Sequence, residues 1–164
     1  MLKSQELSKQ LLESCLHKNI KLITAESCTG GLLSSNITGI SGASAVFSYG
    51  FICYSNESKR KFLNVGDRTL NAFGAVSFET VKEMLASLCS QARSKTLAIA
   101  ISGVAGPSGS ESKPVGLVFI GVKISSHDTE KITEHKFGNI GRNEIQQRSV
   151  QEALKMSLNI LRDV

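Results

Sequence analysis

The chain contains no tryptophan and only two tyrosines among 164 residues. Proteins that grip single-stranded nucleic acid stack bases on aromatic rings, and few such platforms are on offer here. A net charge of +5 invites a polyanion, yet the basic residues are dispersed and the densest run is Lys59-Arg60-Lys61. A small anionic ligand, or solubility alone, accounts for that excess equally well. No apolar stretch approaches the length of a membrane span. The N-terminal region leads into no secretory segment, because Glu13, His17 and Lys18 interrupt it. A cytoplasmic location without membrane association is therefore expected. None of Cys15, Cys28, Cys53 and Cys89 forms a CxxC pair, and His17, His127 and His135 are scattered. Metal-ligand spacings are thus lacking, and no metal is expected. A disulfide framework is not expected in such a chain either, so some thiols should serve as buried small hydrophobes.

What is present is an ordinary globular composition, 41% hydrophobic and 20% charged, with enough length for one domain spanning residues 1–164. There is no internal repeat, low-complexity tract or dividing linker. Helical spacing of Leu7, Leu11, Leu12 and Cys15 predicts a helix over 4–18. A short buried strand is expected over 21–25, then a polar loop and a helix over 32–38. The run 45–54, rich in apolar and aromatic residues, is expected to hold a strand. Ser55 or Asn56 caps a helix over 57–62, Asp67 caps a shorter one ending near Gly74, and Ser77 caps a third with Val81, Met84, Leu85 and Leu88 inward. The apolar run 96–101 fits an interior strand. Residues 114–124 form the next strand and 131–137 its antiparallel neighbour. A last helix runs over 143–161, with Val150, Ala153, Leu154, Ser157, Leu158 and Leu161 inward. Helices interleaved with buried strands indicate α/β layers.

Two glycine-rich loops directly follow apolar strands: Glu26-Ser27-Cys28-Thr29-Gly30-Gly31 and the stretch from Ser102 to Gly109. Ligands of open α/β sheets bind at the carboxyl ends of strands, so the two loops would face one cleft if they share that edge. Neither loop matches the Walker or GxGxxG pattern. Their amides suit an anion; two tight turns are the plainer reading. Ser27 is placed to be a nucleophile if a base reaches it, and Cys28 is equally placed. No histidine is obvious as that base. Lys59 is a candidate, provided desolvation or neighbouring cations keep it neutral. A solvated basic helix face is the simpler account of Lys59-Arg60-Lys61.

Five blocks occur in one order: Ala25 to Gly31, Tyr54-Ser55-Asn56-Glu57-Ser58-Lys59, Gly74-Ala75-Val76-Ser77, Ser102-Gly103-Val104-Ala105-Gly106-Pro107, and Lys113-Pro114-Val115-Gly116. On these the chain resembles the CinA C-terminal domain family over nearly its whole length. The resemblance implies a three-layer α/β/α sandwich around a central, mostly parallel mixed sheet, and a homodimer. It implies an amidohydrolase that turns nicotinamide mononucleotide and water into nicotinate mononucleotide and ammonia, without metal or other cofactor. The catalytic groups it implies are Ser27 as nucleophile, Lys59 as base, and Tyr54 as a group that hydrogen-bonds the serine hydroxyl or relays a proton toward the departing ammonia. Arg142 matches the family's arginine at the start of the last helix. Together with Gly103, Ala105 and Gly106, it is expected to bind a substrate bearing a phosphate. Cys28, Thr29, Gly30 and Gly31 are expected to offer amides to the substrate or its oxyanion. Glu26 is expected to bind ribose, orient Lys59 or satisfy loop amides.

The chain departs from the family pattern at Asn139 to Arg148, where an aspartate is missing and Gln146 replaces an arginine common in the family. It departs again at Ser108 to Ser110 and at Leu117. These positions motivate an alternative, a catalytically silent nucleotide-binding or regulatory protein. A nucleic-acid-associated protein is the weakest of the three readings.

Overall fold

A computed structural model describes residues 2–110, 112–127 and 129–164; Glu111, just after the second glycine-rich loop, lies outside them. Helix α1 (Leu2–His17) ends where Asn19 takes a left-handed conformation, and β1 (Lys21–Glu26) follows. Helix α2 (Leu32–Thr38) and a single 3₁₀ turn (Ala43–Ala45) lead to β2 (Phe47–Ile52). Three helices come next: α3 (Asn56–Leu63), α4 (Asp67–Phe73) and α5 (Phe78–Gln91). Strands β3 (Thr96–Gly103), β4 (Leu117–Ile124) and β5 (Glu130–Lys136) precede the terminal helix α6 (Arg142–Arg162).

The sheet order is β2-β1-β3-β4-β5. β1 is parallel to both β2 and β3, and the pairs β3–β4 and β4–β5 are antiparallel, so four of the five strands run in one direction. The expected mostly parallel mixed sheet is what forms. Side chains alternate across it. Leu97, Ile99 and Ile101 face α1, α2 and α6, whereas Ala98 and Ala100 face the layer of α3, α4 and α5. Small residues on the second face let α5 lie close; a side chain at Gly121 would collide with Val81 and Leu85 of that helix. All four inward residues expected on α5 are fully buried.

Two of the boundaries that differ from expectation have a clear physical cause. Asp67 is the first residue of α4 rather than its cap, which is Gly66; its carboxylate turns instead to Arg60, 2.5 Å away. Residues 114–116 form a turn before β4 rather than part of it, because Gly116 has φ +85° and passes so near the backbone of Gly138 that no side chain fits.

The chain leaves β1 for β2 by way of α2 on one face, then reaches β3, on the other side of β1, by way of helices on the opposite face. The carboxyl ends of β1 and β3 therefore flank a topological switch point, where open α/β sheets form their crevices. The 104–116 loop and the 137–141 segment leave from the same edge, which brings the second glycine-rich loop and the start of α6 to the end of β1.

Candidate active site

Both neighbours grip the end of β1. Ser27 N donates to Ile101 O at 3.0 Å, and Cys53 N donates to Glu26 O at 2.8 Å. Ser27 is thus held one residue beyond β1, beside the start of the 53–55 connection. Gly30 and Gly31 then turn the chain with φ of +59° and +97°, a conformation that costs other residues strain.

Gly31, the N-cap of α2, has no side chain to satisfy the first amides of the helix. Glu26 does so from the preceding strand. Its Oε2 accepts from Thr29 Oγ1 (2.7 Å), Gly31 N (3.1 Å) and Leu33 N (3.0 Å); its Oε1 accepts from Ser34 N (2.8 Å) and Ser34 Oγ (2.6 Å). A carboxylate is also favourable at this positive end of the helix dipole. Glu26 is 0% exposed, so the expectation that it contacts substrate is corrected: five donors occupy both of its oxygens. Among the expected roles, satisfying loop amides is the one the geometry supports. The side chain of Thr29 is likewise committed to Glu26.

Helix α3 carries Lys59. Ser55 caps it, accepting from Ser58 N, while Ser58 Oγ receives the Ser55 amide. The basic triplet divides: Arg60 and Lys61 face solvent, and Lys59 turns inward to 1% exposure. For Lys59 the solvated-face reading is corrected. Its Nζ donates to Ser27 Oγ at 2.9 Å and to Cys53 O at 2.9 Å. Ser27 itself is 7% exposed.

Cys28, beside Ser27, points into the core between the sheet and the α1–α6 layer. Burial pushes its thiol from 9.0 up to about 12, which suppresses the thiolate a nucleophile requires. A buried hydroxyl bonded to a buried amine, next to a thiol held protonated, forms a nucleophile–base pair on oxygen rather than sulfur.

Tyr54 and Arg142 occupy the exposed rim. Arg142 donates through Nη2 to the Tyr54 hydroxyl and through Nη1 to Gly106 O at 2.6 Å. Of the two roles implied for Tyr54, a contact with the Ser27 hydroxyl is not among the bonds of the described residues, where Tyr54 is engaged by Arg142. Gly103 ends β3 opposite Val118, the amide of Val104 is taken by Leu117 O, and Ala105 is buried. Gly106 therefore meets Arg142 with its carbonyl. One contact was not anticipated: Gln146 Nε2 donates to Cys28 O at 2.8 Å. Gln146 stands one helical turn after Arg142, so it shares that residue's face of α6, but nothing local marks its partner. Among the described residues no helix is long and apolar enough to cross a membrane, and no group of three or more His, Cys, Asp or Glu is placed to hold a metal.

Residues 4–161 match the CinA C-terminal domain. A CinA-like protein of Chloroherpeton thalassium is 47% identical over 121 residues, 73% of this chain and 29% of that protein. A CinA-like protein of Prochlorococcus marinus is 42% identical over 149 residues, 90% of this chain and 35% of that protein. The chain thus spans about a third of the length of these curated relatives. The crystal structure of the competence/damage inducible protein CihA from Agrobacterium tumefaciens superposes with a TM-score of 0.91 at 39% identity, covering 96% of this chain and 95% of that one. A CinA superfamily protein from Enterobacter cloacae gives 0.90 at 31% identity, over 96% and 92%. With a match that spans nearly all of its length, the chain belongs to the CinA C-terminal domain family.

Proposed function

We propose that the protein is an amidohydrolase that converts nicotinamide mononucleotide and water to nicotinate mononucleotide and ammonia. The observation that carries this reading is the 2.9 Å contact between Lys59 Nζ and Ser27 Oγ in a nearly closed site. The family resemblance supplies the substrate.

Ser27 Oγ attacks the carboxamide carbon, forming the C–O bond and an oxyanion. The serine proton passes to Lys59 Nζ. An amine taken out of water favours its neutral form, which is the form able to accept that proton. Collapse of the oxyanion breaks the C–N bond, and the proton held on Lys59 leaves with the departing ammonia. Water then attacks the resulting ester, gives its proton to Lys59, and releases the carboxylic acid as Ser27 regains its hydrogen. Positioned proton transfer of this kind contributes roughly 10²- to 10⁴-fold.

The phosphate is assigned to the rim. Arg142 holds Tyr54 and Gly106, and its guanidinium carries a further donor that can reach an anion. Tyr54, already its partner, orients that fork. Incubating the purified protein with nicotinamide mononucleotide and measuring ammonia and nicotinate mononucleotide tests the assignment. Release of the two in equal amounts supports it. Tight binding of the nucleotide without ammonia release favours the silent nucleotide-binding alternative.

A further inference from the structure

The turn that carries Ser27 has a nearly complete hydrogen-bond account. Ser27 N donates to Ile101 O, Gly30 N to Ser27 O, Leu32 N to Thr29 O and Ser35 N to Gly31 O. Glu26 takes the amides of Gly31, Leu33 and Ser34. Among the described residues, and outside the helix's own ladder, the Thr29 amide of the 27–35 segment finds no acceptor and the Cys28 amide meets only its own thiol. Both residues are buried. Buried backbone donors are normally paired, and those that are not call for an explanation. These two follow Ser27 by one and two positions, where the carbonyl oxygen that becomes an oxyanion on attack by that hydroxyl needs donors.

One of the two is held from the far side. The Thr29 N–H and the Cys28 carbonyl belong to a single planar peptide unit, and in a trans peptide they point in opposite directions. Gln146 Nε2 fixes the Cys28 carbonyl at 2.8 Å, which fixes the direction of the Thr29 N–H. Gln146 is itself well anchored. The adjacent Ile145 is fully buried, as is Ser149, which donates to Ile145 O at 2.7 Å within a 21-residue helix. Rotating this peptide requires breaking the Gln146 bond and leaving the Cys28 carbonyl part-buried and unpaired.

We propose that Gln146 is a positioning residue for the oxyanion site: by holding the Cys28 carbonyl it presents the Thr29 amide to the oxygen that becomes charged when Ser27 attacks. This rests on the Ser27 amidohydrolase reading. The residue touches neither substrate nor hydroxyl and acts through the peptide plane.

The test compares wild type with Gln146→Met, which keeps the length and loses the donor, and Gln146→Arg, which restores one. Two readouts are used: kcat and KM for nicotinamide mononucleotide, and the rate of Ser27 labelling by diisopropyl fluorophosphate, followed by mass spectrometry. In labelling, the Ser27 O–P bond forms, the P–F bond breaks, and the serine proton leaves with fluoride. The phosphoryl oxygen draws on the same donors without involving the nucleotide. Loss of a directly acting oxyanion donor costs roughly 10²- to 10³-fold. Gln146→Met is expected to lower kcat and labelling together by roughly 10-fold or more, with KM within about twofold and an unchanged melting temperature, and Gln146→Arg is expected to recover most of both. Labelling and kcat within about twofold of wild type in Gln146→Met overturn the proposal, as does a loss confined to KM. Labelling of wild type without turnover removes the substrate assignment and leaves Gln146 to be judged by labelling alone. A wild type that takes no label at Ser27 overturns both.

Discussion

Lys59 Nζ lies 2.9 Å from Ser27 Oγ, although 32 positions separate the two residues in the chain. The contact depends on two separate placements. Hydrogen bonds to β2 and β3 fix the end of β1, and the capped first turn of α3 fixes the lysine's backbone. The same Lys59 amine also bonds Cys53 O, the carbonyl whose own amide grips β1, so base, nucleophile and strand ends are tied into one unit.

Ser27→Ala is expected to lower deamidation at least about 10³-fold while leaving the melting temperature near that of wild type. Cys28→Ala should keep at least about a tenth of the activity, since its thiol is buried and held protonated and contributes packing only. Steady-state rates for both variants, with mass spectrometry of any trapped acyl adduct, decide the matter. An adduct on Cys28 would reverse the assignment.

Lys59→Met keeps most of the buried volume and removes the amine. We expect loss of kcat comparable to that of Ser27→Ala. Lys59→Arg should not restore it, because guanidinium stays protonated and cannot take the serine proton. Single-turnover ammonia release is the measurement, and recovery of activity in Lys59→Arg would exclude the base role.

At the rim, Arg142→Ala should raise KM for nicotinamide mononucleotide by roughly 10-fold, the scale of one lost charge-assisted contact, with a smaller change in kcat. Since Arg142 also bridges Tyr54 and Gly106, a substrate analogue without phosphate provides the control. It should be turned over equally by wild type and variant, and an equal loss on both substrates would make Arg142 purely structural.

Glu26→Ala removes the acceptor of five hydrogen bonds from a fully buried position. It is expected to destabilise the protein by at least about 3 kcal/mol, because the amides at the start of α2 are left unpaired. Urea denaturation measures this, and a change below about 1 kcal/mol would show that the loop finds other partners.

Alkaline pH should weaken the fold through two thiols. Burial pushes Cys15 and Cys28 from 9.0 up to about 12. Each holds its proton in the folded state over a range where the unfolded chain releases it. Their contribution is therefore full below pH 9 and is lost as pH rises toward 12, at roughly 1.4 kcal/mol per pH unit for each thiol. Denaturation midpoints of wild type and of the Cys15→Ala/Cys28→Ala double variant, compared from pH 8 to 11, isolate the effect. The wild type should fall more steeply.

The amino-acid sequence alone determined the elements and where the candidate site lies along the chain. Helical spacing of Leu7, Leu11 and Cys15, the apolar run 96–101, the caps Ser55 and Ser77, and the paired Gly30-Gly31 are local signals, and each reports a local backbone preference that packing then kept. The five blocks likewise marked Ser27, Tyr54 and Lys59, and the family resemblance they carry marked Arg142. Tertiary structure decided which way those side chains turn and what they meet. Lys59, Arg60 and Lys61 are three adjacent cations, and only the approach of α3 to the end of β1 buries the first and leaves the others in water. Glu26 had three open roles until the glycine turn brought the uncapped end of α2 over its carboxylate. Arg142 reaches Tyr54 across 88 positions, and Gln146 reaches Cys28 across 118. Such pairs leave no trace in periodicity or capping, because their geometry arises only when the carboxyl ends of β1, β2, β3 and β5 meet at one edge of the sheet.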